Sequence, residues 1–202
     1  MPPVSFFASF GLLAVPTFLE RELCTDIRQE MATAGQVAAT VREADRSYAV
    51  DQQTRRTNKT EVSDQTSSLV SERLMSVRQE VAEVFGIQVS GVQRPQFLRY
   101  REGDFFAAHQ DRASDQKGAP FERERQISAV VFLNDESEEP LPDTYEGGAL
   151  TLFGLLDSAD GRNVGMPVVG EAGALIAFPS EMLHEVTPIT RGERFTVVSW
   201  FY

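Results

Sequence analysis

The sequence predicts a mainly β fold, an antiparallel sandwich or barrel braced by helices. Three observations lead there. Two stretches before residue 90 repeat apolar residues at helical spacing, and five later stretches read as short strands. Turns rich in Gly, Pro, Asp or Ser separate those strands. Helices followed by a run of strands suit a layered or closed antiparallel sheet with helical support. No self-similarity at a period of about 20 to 50 residues is present, which argues against a solenoid.

The first sixteen residues, M-P-P-V-S-F-F-A-S-F-G-L-L-A-V-P, are apolar enough to resemble the hydrophobic part of a secretion signal. They lack the basic opening of such a signal, Pro16 interrupts them, and the run is short for a membrane span. A strand or a buried lead-in is expected instead. Residues 19–34 read as a helix, because Leu19, Leu23, Ile27 and Met31 recur every fourth position and Gly35 weakens continuation. Residues 45–68 are polar with little periodicity, and a long loop or lid is expected there, either a solvated insertion or a substrate-facing segment. A second helix is expected over 69–85, with Leu74, Val77, Val81 and Val84 on one face and Gly86 as its stop. F-L-R-Y, I-S-A-V-V-F-L, A-L-T-L-F, A-L-I-A-F and R-F-T-V-V-S-W-F-Y are the expected strands. The expected organisation is one domain over 1–202, with 1–89 mainly helical support and 90–202 the core.

The balance of 42% hydrophobic and 24% charged residues fits a folded chain. A formal net charge of -11 disfavours attraction to nucleic acid or anionic membranes, so neither is an expected partner. Cys24 is the only cysteine, which excludes an internal disulfide and multi-thiolate zinc sites. Its apolar neighbours make it a small core side chain, and a reducing, cytoplasmic location is expected.

Only two histidines occur, His109 in H-Q-D and His184 in F-P-S-E-M-L-H-E-V-T-P. Two histidines and one carboxylate leave open positions on an octahedral ion, the facial triad of Fe(II) oxygenases. On extended backbone, His109 and Asp111 emerge on one side while Gln110 points away. His184 follows a strand-like segment, and a sheet can bring it beside H-Q-D; a histidine at a barrel rim is the alternative. R-F-T places Arg194 and Thr196 on one strand face, where guanidinium and hydroxyl suit a carboxylate. A surface salt bridge is the other reading of Arg194. Gly147 and Gly148 read as a turn that permits close backbone approach rather than as phosphate-binding glycines.

The ordered set of F-L-R-Y-R-E-G-D-F-F-A-A-H-Q-D (97–111), R-Q-I-S-A-V-V-F-L-N (125–134), Y-E-G-G-A-L-T-L-F (145–153), G-A-L-I-A-F-P-S-E-M-L-H-E-V-T-P (173–188) and R-G-E-R-F-T-V-V-S-W-F (191–201) resembles the 2-oxoglutarate and Fe(II)-dependent dioxygenases, specifically their prolyl-4-hydroxylase-like branch. The resemblance covers roughly the C-terminal half. It implies a double-stranded β-helix, or jelly roll, with supporting N-terminal helices. It also implies that His109, Asp111 and His184 ligate Fe(II), and that Arg194 with Thr196 holds the distal carboxylate of 2-oxoglutarate. Tyr100 matches a tyrosine that contacts the same end of that cosubstrate, or else is a strand aromatic. Arg125 would contact the primary substrate, stabilise the pocket or form a rim salt bridge, and Asn134 would orient substrate or, more in keeping with its position, a loop. The chain departs from the related G-G-E pattern at Ala149, and it carries Arg194 where animal prolyl hydroxylases commonly use lysine.

The implied activity is hydroxylation of an unactivated C–H bond, on a peptidyl proline or a small amino-acid-like metabolite, with 2-oxoglutarate and O2 consumed and ascorbate as a possible reductant. Related halogenases generally have a small residue in place of the carboxylate, so Asp111 favours hydroxylation. A nucleic-acid demethylase would carry a terminal R-x-N-x-T-x-R pattern that this chain lacks. The non-enzymatic alternative is a cupin-like metal-binding protein.

Overall fold

The computed structural model describes residues 2–39, 41–42, 48–49, 52–113, 119–156 and 164–202. Before the strands of the C-terminal half come α1 (Val4–Ala8), β1 (Leu13–Val15), α2 (Arg21–Thr33), β2 (Gln36–Ala38), β3 (Val41–Arg42), β4 (Tyr48–Ala49), β5 (Arg55–Arg56), β6 (Asn58–Thr60), α3 (Asp64–Ser76) and α4 (Arg78–Phe85). There follow β7 (Gln96–Tyr100), β8 (Phe105–His109), α5 (Pro120–Glu124), β9 (Ile127–Phe132), β10 (Glu146–Gly147), β11 (Leu150–Leu152), β12 (Met166–Val168), β13 (Leu175–Pro179), β14 (His184–Val186), β15 (Ile189–Arg191) and β16 (Arg194–Phe201).

Two antiparallel sheets form the jelly roll. The larger has the order β1-β13-β9-β16-β7-β6-β2, and the smaller β12-β11-β14-β8-β5. Both faces of the larger sheet are covered, which explains why its central strands are so apolar: β9 is buried at all six positions. Alternate residues part to opposite sides. Ile127, Ala129 and Val131 of β9 join Ile27 and Met31 of α2, Val70 and Leu74 of α3 and Val81 of α4 in one core. Val130 and Phe132 point the other way, packing with Leu150 and Leu152 of β11 and Val168 of β12 between the sheets. Cys24 lies in the helix-side core, where burial pushes its thiol up to about 11.

The structure bears out one expectation in part and revises three. The N-terminal lead-in is a helical turn followed by a strand, and β1 extends the larger sheet beside β13. The helix expected over 69–85 begins at Asp64 and breaks at Val77. Ser63 caps its start, its side chain accepting from the Thr66 N–H at 3.2 Å. Its first turn is polar because it faces solvent, so apolar periodicity missed it. Gly86, at φ 63°, does end α4. The polar stretch 45–68 is not structureless: β5 pairs with β8 at the edge of the smaller sheet, and β6 with β7 in the larger. Residues 45–47 and 50–51 of that stretch lie outside the described residues. Finally, the first 89 residues contribute strands to both sheets as well as helices.

Asn134 follows β9 and is 3% exposed. Its Nδ2 donates to the carbonyls of Asp143 at 3.0 Å and Glu193 at 2.8 Å, and its Oδ1 accepts from the Phe195 N–H at 3.0 Å. The side chain thus stitches the start of β16 to the loops beside it. Asn134→Ala leaves these backbone groups unpaired, and a loss of at least about 2 kcal/mol in urea-unfolding free energy is expected. Unchanged stability would contradict this bracing role.

Candidate metal centre and cosubstrate pocket

β8 ends on His109 and β14 begins on His184, and the antiparallel register sets these two residues directly opposite one another. Their ring centroids are 4.2 Å apart. Each Nδ1 lies close to a backbone carbonyl two residues earlier, Ala107 O at 2.8 Å and Met182 O at 2.9 Å. That contact places the proton on Nδ1 and leaves the Nε2 lone pairs available. His109 Nε2 is 3.7 Å from Asp111 Oδ1, and His184 Nε2 is 3.5 Å from Asp111 Oδ2. One donor atom from each of the three residues lies within 4.8 Å of the others.

Asp111 sits past the end of β8, so strand alternation is not what orients it. A turn does so: the N–H groups of Asp111 and Arg112 both donate to Ser180 O at 2.9 Å. Ser128 Oγ donates to Asp111 Oδ2 at 2.7 Å and lies 2.9 Å from Ser180 Oγ. Arg125 Nη1 donates to the Asp111 carbonyl at 3.2 Å while Nε donates to Gln93 Oε1 at 3.0 Å. The guanidinium lies 3.6 Å from the centre of the Trp200 ring. Arg125 is therefore built into the wall that carries Asp111.

Burial and the neighbouring His184 hold His109 well below the ordinary histidine range, against the pull of Asp111. Burial alone would raise Asp111, but His184, His109 and the Ser128 hydroxyl outweigh it and keep the carboxylate ionised. A neutral imidazole on His109 and an anionic carboxylate are the forms a divalent ion needs. The His109 ring stacks on Phe106 at 3.5 Å and 17°, and the Arg55 guanidinium lies 4.4 Å from the centre of the Phe106 ring.

The same cavity, about 480 Å³, contains Arg194, Thr196 and Tyr100. Arg194 is 1% exposed, with the rings of Tyr100 and Phe132 at 5.2 and 5.3 Å from its guanidinium carbon. Gly148, at φ 63°, leaves its path open; a Cβ there would come within 3.1 Å of Arg194 Cδ. Nη1 has only a long contact, 3.5 Å, to Thr196 Oγ1, and Nε and Nη2 have no hydrogen-bond partner. A buried guanidinium without an anion is costly by several kcal/mol. Its side-on pair of free donors fits a carboxylate. The donor sets therefore fit both Fe(II) and a dicarboxylate cosubstrate.

The comparisons agree. Residues 95–202 match the model of the 2OG-Fe(II) oxygenase superfamily. A PKHD-type hydroxylase of Methylobacillus flagellatus is 28% identical over 193 residues, covering 94% of this chain and 77% of that protein. One from Paraburkholderia xenovorans is 37% identical over 107 residues, which span 52% of this chain and 41% of that protein. A Pseudomonas putida prolyl-4-hydroxylase superposes with a TM-score of 0.69 at 25% identity, covering 98% of this chain and 95% of the other. A prolyl hydroxylase of Trichoplax adhaerens, at 17% identity and a TM-score of 0.68, shares the fold. The chain belongs to the 2OG-Fe(II) oxygenase superfamily, in its prolyl-4-hydroxylase-like branch. It is an iron- and 2-oxoglutarate-dependent hydroxylase.

Sequence reasoning missed three contributors. Ser128 carried a signal, a polar residue inside the apolar run of β9. Trp200 lines the cavity from β16. Arg55 gave none, because only the β5–β8 pairing brings it to the pocket wall. Ser128→Ala is expected to weaken Fe(II) binding about tenfold in anaerobic calorimetry with the fold intact, while Asp111→Ala removes it. Equal affinity in wild type and Asp111→Ala would exclude Asp111 as a ligand.

Proposed function

We propose that this hydroxylase acts on a polypeptide segment, at a prolyl residue, with a small amino-acid-like metabolite as the second reading. The observation that carries the proposal is the shape of the site. The 480 Å³ cavity shares Lys59, Gln96, Phe121, Arg125 and Trp200 with a polar groove of about 850 Å³. A free metabolite needs no such extension, whereas residues flanking a hydroxylated position need room and polar groups for their backbone. The Trichoplax enzyme was solved with a peptide fragment, which supports the same reading.

In this account His109, Asp111 and His184 hold the iron, with Ser128 and Arg125 fixing Asp111. Arg194 and Thr196 take the distal carboxylate of 2-oxoglutarate, and the Tyr100 ring packs beside them. Bound iron(II), with 2-oxoglutarate and O2, supplies the oxidising power that converts a C–H bond to an alcohol as the cosubstrate becomes succinate and carbon dioxide. The protein's own part is to orient and to exclude water. Leu98, Leu150, Val186 and Val198 give the cavity an apolar lining between the polar groups. Ascorbate serves as reductant for enzyme that oxidises without substrate. A single domain over 1–202 and a cytoplasmic location complete the reading; the negative charge speaks against a nucleic-acid substrate. Among the described residues no helix is long and apolar enough to cross a membrane.

The test is a panel of proline-containing peptides beside free amino acids, with succinate release measured and products mapped by mass spectrometry. Substrate-dependent succinate with a 16 Da gain on a peptidyl proline is expected, and Arg194→Ala should raise the 2-oxoglutarate KM on the order of a hundredfold. Turnover with free metabolites alone would overturn the polypeptide reading.

A further inference from the structure

Tyr145 precedes β10 and is fully buried, packed with Leu98, Tyr100, Val186 and Ile189. Its hydroxyl lies against the Arg194 guanidinium without a hydrogen bond of full geometry, and Arg194 Nε and Nη2 likewise lack one. Buried polar atoms are nearly always paired, so orphans from two neighbouring side chains ask for a common explanation. Gly170 shows that the arrangement is built. A Cβ at that position would collide with the Tyr145 hydroxyl and come within 2.7 Å of Phe132, the ring that flanks Arg194. The backbone there leaves just enough room for the phenol. Arg194 Nη1 reaches Thr196 Oγ1 only at 3.5 Å, the limit of hydrogen bonding.

We propose that the Tyr145 hydroxyl, together with Arg194, receives the distal carboxylate of 2-oxoglutarate and thereby selects a dicarboxylate over a monocarboxylate 2-oxo acid. The inference rests on the cosubstrate reading above. A guanidinium offering Nε–H and Nη2–H engages both carboxylate oxygens side-on, and a phenol O–H can donate to a remaining lone pair. Burial pushes the Tyr145 phenol up to about 12, so it stays a donor at neutral pH despite the nearby Arg194. Glu136, on the strand-end loop beside Gly170, is a further ionisable group near Arg194. Burial raises its carboxyl, which accepts from the Gly170 N–H at 3.4 Å. It does not pair with Arg194 Nε or Nη2, which have no hydrogen-bond partner among the described residues.

The position gives an unusual stability signature. A hydroxyl kept for structure would be paired in the free protein, and its loss would destabilise. A hydroxyl waiting for a ligand is unpaired, and its replacement by hydrogen is neutral or favourable until the ligand arrives. Tyr145→Phe should therefore leave the melting temperature of cosubstrate-free protein unchanged or raised, and shrink the upward shift that 2-oxoglutarate produces.

The experiment compares wild type, Tyr145→Phe and Gly170→Ala, each loaded anaerobically with Fe(II). Each is titrated with 2-oxoglutarate and with 2-oxopentanoate, following the visible charge-transfer band. The phenylalanine variant should bind 2-oxoglutarate about tenfold more weakly and 2-oxopentanoate equally well. Gly170→Ala, which displaces the hydroxyl without removing it, should show the same selective loss. Unchanged 2-oxoglutarate affinity in Tyr145→Phe, equal weakening of both ligands, or a lower melting temperature without ligand would overturn the proposal. Absence of the band from folded, iron-bound wild type would instead refute the cosubstrate reading, and this inference with it.

Discussion

The register between β8 and β14 is the constraint on which the site depends. Pairing His184 with His109 puts two imidazoles 4.2 Å apart at the ends of two adjacent inner strands, from positions far apart in the chain. A slip of one residue would turn one of them to the opposite face. The register itself shifts between His184 and Val186, a local irregularity at the strand that carries a ligand, as bulges beside functional sites commonly provide. The third ligand needs a different device, since β8 has ended before Asp111. The paired N–H groups on Ser180 O and the Ser128 hydroxyl hold it instead, linking β13 and β9 of the larger sheet to the metal centre. The two sheets thus meet chemically at Asp111 as well as through apolar packing.

Electrostatics divides the cavity into two regions. Around the histidines, an ionised carboxylate and Nε2 atoms freed by their backbone contacts await a cation. Around Arg194, a buried cation awaits an anion. Neither region is satisfied by the protein alone, and each lacks what an iron and dicarboxylate pair would bring. Tying up these charges inside the protein would stabilise the free fold but remove the reason for either ligand to bind; sites of this kind retain unsatisfied groups at some cost in stability. The aromatic wall of Trp200 and Phe106 then lowers the local dielectric, which strengthens both interactions.

Much of this was legible before the structure. The apolar runs of β9 and β16 announced strands, and Gly86 announced the end of α4. The pairing of H-Q-D with a distant histidine, followed by R-F-T, pointed to metal and carboxylate recognition because those residue types have few other joint uses. What stayed hidden depended on long-range pairing. Arg55 sits in a polar stretch without periodicity and reaches the pocket only through an edge strand. Tyr145 reads as one more aromatic in a turn, and nothing local reveals that its hydroxyl is buried near Arg194. Ser63 was an exception: its capping role was readable, but the polar first turn of α3 masked it.

The central claim is that His109, Asp111 and His184 form one iron site whose cosubstrate is anchored at Arg194. Anomalous diffraction at the iron edge, from crystals grown anaerobically with Fe(II) and 2-oxoglutarate, tests it most directly. The account predicts an iron peak bonded to both Nε2 atoms and an Asp111 oxygen, with the distal carboxylate lying against Arg194. Iron bound away from these three side chains, or a cosubstrate whose distal carboxylate avoids Arg194, would contradict it.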